Sequence, residues 1–266
     1  MVMNRVDKKF QELKQQKKAA FIPFITAGDP DLSTTRELIL ELEKKGADII
    51  ELGIPFSDPI ADGPVIQASY NRALSRGVKV AQILAMVSSL RKESEIPIVA
   101  MVSYSIVFKG GGQAFIEKAR EAGLDGFTIP DLPVEENDEL FKIAKLKDFK
   151  LVCFVAPTTT DQRMAFIAQN SQGFLYYISV VGITGTRVRL PDDLVQNINK
   201  LRQMTKVPIA VGFGVSTPEH VEMVGKVADG VIVGSAIIKE IEKYANKPAG
   251  ELVRLVGELV GKLVSA

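Results

Sequence analysis

The chain has very few of the side chains that bind metals or form cross-links. Cys153 and His220 are its single cysteine and single histidine among 266 residues. One cysteine excludes an internal disulfide and is typical of a reducing compartment, so we expect a cytoplasmic protein. Because there is no histidine cluster, no Cys-x-x-Cys pair and no His-Glu-x-x-His segment, we expect neither a zinc site nor another cofactor. We interpret Cys153 as a core residue and His220 as a surface residue of a helix.

An excess of charge of one sign is also lacking. Lysine and arginine total 33 against 32 aspartates and glutamates, which gives a formal net charge of +1. Such a chain has no broad positive field to hold nucleic acid or an anionic membrane. The expected partner is therefore a small molecule or another protein.

Neither end of the chain has the long apolar run of a secretory signal or a membrane span. Residues 1–18 lack an apolar core, and their acidic side chains argue against a mitochondrial presequence. Three apolar residues there recur at helical spacing and predict an amphipathic helix that covers an apolar surface: Val6, Phe10 and Leu13. The stretch 251–264 is apolar but interrupted by charges, which is typical of a packed helix.

Short runs rich in β-branched residues alternate with segments of helical period, and no Ser/Gly-rich linker separates them. The predicted strands are 20–26, 48–53, 98–102, 126–130, 151–156, 173–179, 208–212 and 230–233. The helices that follow them are predicted at 34–45, 81–92, 113–122, 135–147, 161–169, 192–204, 219–224 and 235–244, with a further short one at 66–74. About eight βα units in this length favour a closed barrel over an open sheet. We predict one α/β domain over residues 1–266, a (β/α)8 TIM barrel with an extra N-terminal helix.

Three aspartates stand just before or at the start of predicted strands, where tight αβ turns would lie at the bottom of the barrel: Asp48, Asp125 and Asp229. We assign them to the turns and give them no catalytic role. The chemistry of a βα barrel is expected at the opposite rim, in the loops that follow the strands.

Glu51 stands out because it is a carboxylate inside an apolar, strand-like run. Asp62 closes the Pro- and Asp-rich loop that follows it. If the strand points Glu51 inward, burial should raise its pKa toward the range useful for proton transfer at neutral pH. The alternative is a structural glutamate satisfied by a neighbouring donor, since such networks also perturb pKa values.

Glycines follow the predicted seventh and eighth strands, and Ser235 begins a helix beside them. Glycine lets backbone approach a ligand closely, and a helix N-terminus attracts an anion, so we predict a phosphate site there. The alternative is that these glycines only permit tight turns. The long loop 180–191 is typical of a lid. Its Arg187 and Arg189 could meet a phosphate or be solvated. No lysine ends a predicted strand at the rim, which argues against a Schiff-base aldolase.

Five segments together resemble the tryptophan synthase α subunit family over nearly the whole chain. They are Phe-Ile-Thr-Ala-Gly-Asp-Pro at 24–30, the long run 51–64, Pro-Asp-Leu-Pro at 130–133, Gly-Ile-Thr-Gly at 182–185 and Gly-Phe-Gly-Val-Ser at 212–216. The resemblance implies a lyase that cleaves indole-3-glycerol phosphate to indole and D-glyceraldehyde 3-phosphate in L-tryptophan biosynthesis. It implies that Glu51 is the acid–base group and that Asp62 holds the indole N–H.

The same resemblance implies the substrate-binding residues and a partner. The matching binding positions are Tyr176, Thr184, Gly185, Phe213, Gly214, Gly234 and Ser235. The implied partner is a pyridoxal-phosphate β subunit in an α2β2 complex, contacted through 55–58 and 108–112. This chain departs from the common family pattern at Ser105 and at Val180-Val181. These departures bear on coupling between subunits more than on the reaction.

Three other functions stay open on the sequence alone. One is a different phosphate-binding barrel, such as an indole-glycerol-phosphate synthase or a phosphoribosyl isomerase, although a synthase should carry a rim lysine. Another is a non-catalytic subunit that binds a phosphorylated ligand and regulates a partner. The third is a stand-alone indole-3-glycerol phosphate lyase.

Overall fold

In a computed structural model, which describes residues 3–136, 138–179, 192–212 and 214–265, eight parallel strands close into a barrel in chain order. The strands are β1 Ala20–Thr26, β2 Ile50–Gly53, β3 Ile98–Met101, β4 Gly126–Thr128, β5 Lys150–Val155, β6 Leu175–Ile178, β7 Ile209–Gly212 and β8 Gly230–Val233. The last strand pairs with the first, with Ala20 opposite Gly230. The predicted (β/α)8 barrel is therefore confirmed.

Helices surround the barrel and also close its lower end. They are α1 Arg5–Gln16, α2 Leu32–Lys44, α3 Pro64–Ser75, α4 Val80–Leu90, α5 Tyr104–Lys109, α6 Gln113–Glu121, α7 Asp138–Leu146, α8 Asp161–Asn170, α9 Asp192–Met204, α10 Pro218–Gly225, α11 Ser235–Tyr244 and α12 Ala249–Val264. A 3-10 turn spans Val134–Glu136. The sequence did not predict α5 or this turn.

Alternation along the strands separates an inner core from an outer one. Side chains of one parity fill the barrel, with Ile22, Ile49, Val99, Val152, Phe174, Ala210 and Ile232 among them. Side chains of the other parity pack against the helices, as in the parallel sheets of α/β proteins generally. Cys153 belongs to this outer core and is buried, as predicted. Burial raises the pKa of its thiol to about 12, so it is not a reactive thiolate.

Helix α1 closes the bottom of the barrel, which confirms the predicted amphipathic N-terminal helix. Its apolar face, Val6, Phe10 and Leu13, joins the inner core. The ring centroids of Phe10 and Phe174 lie 5.7 Å apart. The Asn4 side chain caps the helix by accepting a hydrogen bond from the backbone N–H of Val6.

The three aspartates before the strands act as predicted, as turn residues at the bottom. Asp48 accepts a hydrogen bond from the backbone N–H of Phe21 at 2.9 Å. Asp125 and Asp229 accept equivalent bonds from Ile98 at 2.8 Å and Ile209 at 2.9 Å. Each carboxylate thus ties the turn that carries it to the beginning of a neighbouring strand.

The prediction that His220 is a surface residue is wrong. His220 is 4% exposed, and α10, which carries it, packs against both β8 and α12. The short polar helix gives no sign of this burial, because α12, which packs against it, begins more than 20 residues later in the chain. Among the residues that the structure describes, the Nδ1 atom of His220 is buried without a hydrogen-bond partner.

The C-terminal helix α12 packs against α2, α10 and α11, which confirms its predicted role as a packed helix. Its buried face includes Leu252, Val256, Val260 and Leu263. In the described part of the chain, no helix combines the length and apolarity needed to cross a membrane.

Candidate active site at the carboxyl end of the barrel

Glu51 points into the barrel from β2. It has the same parity as Ile49 of the inner core and is 1% exposed. The hydroxyl of Thr128 on β4 donates a hydrogen bond to Oε1 of Glu51 at 3.1 Å. Among the described residues, no lysine or arginine forms an ion pair with this carboxyl group.

The pKa of Glu51 is raised from 4.5 to about 8. Burial is the main cause, because the charged form loses its hydration; the bond from Thr128 works in the opposite direction, and the charge of Asp62 raises the value further. At neutral pH the group is therefore mostly protonated. A buried, protonated carboxyl group is suited to donate a proton at neutral pH.

Asp62 lies at the end of the loop between β2 and α3 and is half-buried. The loop is held against α3, since Nε2 of Gln67 donates to the carbonyl oxygen of Asp62 at 2.7 Å. Burial and then the charge of Asp131 raise the pKa of Asp62 to about 6. Asp62 is thus mostly ionised at neutral pH, where Glu51 is mostly protonated.

Two buried tyrosines, Tyr70 from α3 and Tyr176 from β6, share this space with the two acids. Tyr176 points inward from β6, whereas Tyr177 faces the helices, where Nδ2 of Asn197 donates to its hydroxyl at 2.9 Å. The pKa values of Tyr70 and Tyr176 are both raised, mainly by burial and further by the charges of Glu51 and Asp62. Both hydroxyls therefore remain protonated and can donate hydrogen bonds.

Glycines at the ends of β2 and β7 leave room for aromatic rings. A Cβ atom at Gly212 would lie 2.5 Å from the hydroxyl oxygen of Tyr176. A Cβ atom at Gly53 would lie 2.6 Å from the ring of Phe24 and 2.9 Å from the hydroxyl of Tyr70. Larger residues at these two positions would displace the rings that line the site.

The predicted phosphate-binding residues Gly234 and Ser235 lie at the N-terminus of α11. Gly234 caps this helix without a side-chain hydrogen bond, and Ser235 is exposed as its first residue. Among the described residues, no N-cap side chain accepts a hydrogen bond from the first N–H groups of this helix, which suits an anion. Gly214, after β7, has φ of +81°, a conformation that favours glycine.

Three predicted binding residues lie outside the described residues: Thr184, Gly185 and Phe213. The loop 180–191, predicted to be a lid, and its two arginines also lie outside them. Within the described ranges, no group of three or more His, Cys, Asp or Glu side chains could hold a metal ion.

Three residues that the structure brings to the site were not predicted from the sequence. Thr128 contacts Glu51 directly, Tyr70 lies beside both acids, and the ring of Phe24 lies between Gly53 and Gly234. A polar Thr at the end of a strand was a signal for the first of them. Tyr70 gave no such signal, because it lies on a helix that looks like ordinary outer packing.

A narrow cavity adjoins Asp62, and two apolar side chains are exposed, one on the loop of Asp62 and one on α5. The cavity is lined by Ile54, Phe56, Asp58, Pro59, Ile60, Ala61, Asp62, Tyr70, Met101, Val102, Ser103, Pro130 and Asp131. Ile60 is 87% exposed and Phe108, on α5, is 72% exposed. A larger cleft of about 860 Å³ lies at the opposite end, beside α1, and is lined by many charged residues of both signs.

Comparison with known proteins gives consistent matches over nearly the full chain. The family model described as tryptophan synthase alpha chain matches residues 10–263. The tryptophan synthase alpha chain of Thermoanaerobacter sp. (strain X514) is 45% identical over 261 residues, 98% of each chain. The crystal structure of the alpha subunit from Legionella pneumophila str. Paris matches with a TM-score of 0.90 at 38% identity, covering 99% of this chain and 98% of that one. A chain of the tryptophan synthase complex from Pyrococcus furiosus matches with a TM-score of 0.84 at 36% identity, covering 94% and 99%.

Proposed function

The chain belongs to the tryptophan synthase alpha chain family, and from this premise we propose that Glu51 and Asp62 carry its reaction between them. The family cleaves indole-3-glycerol phosphate to indole and glyceraldehyde 3-phosphate, the α reaction of tryptophan biosynthesis, and this chain is a lyase of that kind. The assignment of roles rests on one observation. Two carboxyl groups share one site, and their pKa values of about 8 and about 6 leave one protonated and the other ionised at neutral pH.

Glu51 is the general acid in the first step. Its carboxyl proton passes to C3 of the indole ring, and the ring nitrogen lone pair moves to form a C=N bond, which gives an indoleninium cation. This cation is the electron sink for the carbon–carbon cleavage, so the reaction needs neither a lysine imine nor a metal ion.

The second step returns the proton to Glu51. The carboxylate accepts the proton of the side-chain hydroxyl, and the O–H electron pair becomes the carbonyl bond of glyceraldehyde 3-phosphate. The electrons of the broken carbon–carbon bond return to the ring and restore neutral indole. Glu51 is protonated again at the end, so the cycle is balanced.

Asp62 stabilises the cation between these steps. Its carboxylate accepts the hydrogen bond of the indole N–H, and this interaction strengthens as the ring becomes positive. Its pKa of about 6 leaves it ionised at neutral pH, as the role requires. We assign substrate contacts to Tyr176 beside the indole and to Gly214, Gly234 and Ser235 at the phosphate. Thr184, Gly185 and Phe213 complete the set by family resemblance.

The family implies a β-subunit partner. We propose further that the complex is α2β2 and that the partner covers the exposed Ile60 and Phe108. Ile60 lines the cavity that contains Asp62. Phe108 lies on α5, whose capping residue Ser103 lines the same cavity. We also propose that residues 1–266 form one domain, because the barrel closes between its first and last strands. A cytoplasmic location remains our proposal from the single cysteine.

Indole release from indole-3-glycerol phosphate by the purified chain, with and without a β subunit, tests the proposal. We expect slow release alone and faster release in the complex, because closure of the site is coupled to the partner. Full activity without a partner would indicate a stand-alone lyase. Ligand binding without any turnover would indicate a regulatory subunit and would contradict the roles of Glu51 and Asp62.

A further inference from the structure

Asp131, which follows β4, connects that strand end to the start of α5. The hydroxyl of Ser103 donates to Oδ2 of Asp131 at 2.7 Å. The backbone N–H of Tyr104 donates to Oδ1, also at 2.7 Å. Both oxygens of the carboxylate are therefore engaged by the first turn of α5, and the bonds are as short as charge-assisted ones usually are.

The same carboxylate lies close to the loop between β2 and α3, which carries Asp62. Asp131, Ser103 and Asp62 line one narrow cavity. Among the described residues no cation pairs with Asp131, so its charge is balanced only by the two donors of α5. A negative charge held in a fixed position next to another carboxylate makes the second one harder to ionise.

We propose that Asp131 is a positioning residue for the cleavage reaction: it anchors the first turn of α5 and holds a second negative charge against Asp62. This charge makes Asp62 a stronger acceptor for the N–H of the indole ring as that ring becomes a cation. The inference rests on the proposed function, because it concerns the site of Asp62.

The electrostatics agree with this geometry. The charge of Asp131 is the second cause, after burial, of the raised pKa of Asp62. Removal of that charge should therefore lower the pKa of Asp62 toward its ordinary value. The described titratable side chains that interact electrostatically with Asp62 are Glu51 from β2, Tyr70 from α3, Tyr176 from β6 and Asp131 itself. Asp58 of the same loop lines the same cavity.

The test is the pH dependence of kcat/KM for indole release, since this ratio reports the groups of the free enzyme. Asp131→Asn removes the charge but leaves an oxygen that can accept one of the two hydrogen bonds. We expect the acidic limb of its pH profile, which reports the ionisation of Asp62, to move to lower pH. The loss of kcat at the optimum should be smaller than the ~10²-fold typical of removing a direct transition-state contact.

Two matched variants separate charge from structure. Ser103→Ala removes one hydrogen bond to Asp131 and keeps the charge, so its acidic limb should coincide with that of the parent. Asp138→Asn makes the same chemical change at an exposed position on α7 and should leave both the limb and kcat unchanged. Asp131→Ser replaces the amide variant if the latter does not fold, since its hydroxyl can still accept a bond from Tyr104.

The outcomes distinguish this inference from the proposed function. If the parent releases no indole, or if Asp62→Asn keeps full activity and the acidic limb, the proposed function fails and the inference fails with it. If Asp62→Asn is inactive but the limb of Asp131→Asn coincides with that of the parent, only the inference about Asp131 is overturned. An equal shift in Ser103→Ala would also overturn it, because the effect would then be structural.

Discussion

The two ends of the barrel use buried carboxylates in opposite ways. At the bottom, Asp125 accepts the backbone N–H of Ile98 and pairs with both Arg5 and Arg91. At the top, Glu51 receives one hydrogen bond from a threonine and, among the described residues, has no cationic partner. Burial raises the pKa of both groups, but cations oppose it only for Asp125. The presence of cationic partners, more than burial alone, thus distinguishes a carboxylate that stabilises the fold from one that can exchange a proton.

The largest expected effect is that of Glu51→Gln on catalysis. The near-isosteric amide cannot donate or accept the proton, so indole release should fall by ~10²–10⁴-fold while the affinity for substrate is largely kept. Single-turnover indole release and equilibrium binding of substrate would measure the two quantities separately. Turnover within about tenfold of the parent would remove Glu51 from the mechanism.

Compared with the parent, Glu51→Gln should lose less stability as the pH rises into the alkaline range. The folded pKa of Glu51, about 8, lies above the ordinary 4.5, so the folded state holds this proton where the unfolded state releases it. The stability of the parent should therefore fall as pH rises from about 4.5 toward 8. Glu51→Gln has no titrating group at this position, so it should lack this part of the fall. Melting temperatures at pH 5 and pH 8.5 would check the direction. A parent that loses no more stability than Glu51→Gln between these two pH values would contradict the sign.

Asp62→Asn should have the next largest effect, because an amide stabilises the indoleninium cation less than a carboxylate does. We expect kcat to fall by about 10²-fold, the scale of removing one transition-state contact, with less effect on KM. Steady-state kinetics with the same substrate would give both constants. A loss confined to KM would indicate a role in binding alone.

The bottom of the barrel should respond in stability rather than in rate. Asp125→Asn leaves the guanidinium groups of Arg5 and Arg91 without their carboxylate, which should cost about 2–4 kcal/mol of unfolding free energy. The control Asp161→Asn breaks an exposed pair with Lys200 and should cost less than about 1 kcal/mol. Urea unfolding gives these values, and kcat of folded Asp125→Asn should stay within about twofold of the parent. A selective loss of kcat would break the comparison between the two ends.

Ser235→Ala should have the smallest effect. It removes one hydroxyl donor from the N-terminus of α11 but leaves the backbone N–H groups, so we expect about tenfold weaker binding of glycerol phosphate with little change in kcat. Ser89→Ala, on the exposed face of α4, is the matched control. Unchanged affinity in Ser235→Ala, measured by calorimetry, would exclude this hydroxyl from the anion site.

Much of the fold could be read from the sequence because its local signals agree with its packing. The bounds of β1, β8, α9 and α11 match the predicted ones, since apolar runs mark the two strands, Pro191 precedes α9 and Gly234 separates β8 from α11. Short β2 and β4 were predicted too long, because apolar residues continue past the paired ones, with Ile49 before β2 and Ile129 after β4. Helix α5 was missed, although Ser103, which caps it, was a usable signal.

The site could be predicted only in part. Glu51 and Asp62 were identifiable because acids in such contexts are unusual. The contact between Thr128 and Glu51 depends on how β4 is staggered against β2 around the barrel, which no local pattern reports. The burial of His220 depends in the same way on a distant helix. Long-range packing, rather than local propensity, decided each of these cases.

The most direct test of the account is the protonation state of Glu51 in the folded protein. Infrared difference spectra across a pH titration, with Glu51→Gln used to assign the carboxyl band, report it without relying on turnover. We predict a band of the protonated acid at pH 7 that disappears with a midpoint near 8, while Asp62 is already ionised. A Glu51 carboxylate that is fully ionised at pH 6 would contradict the account.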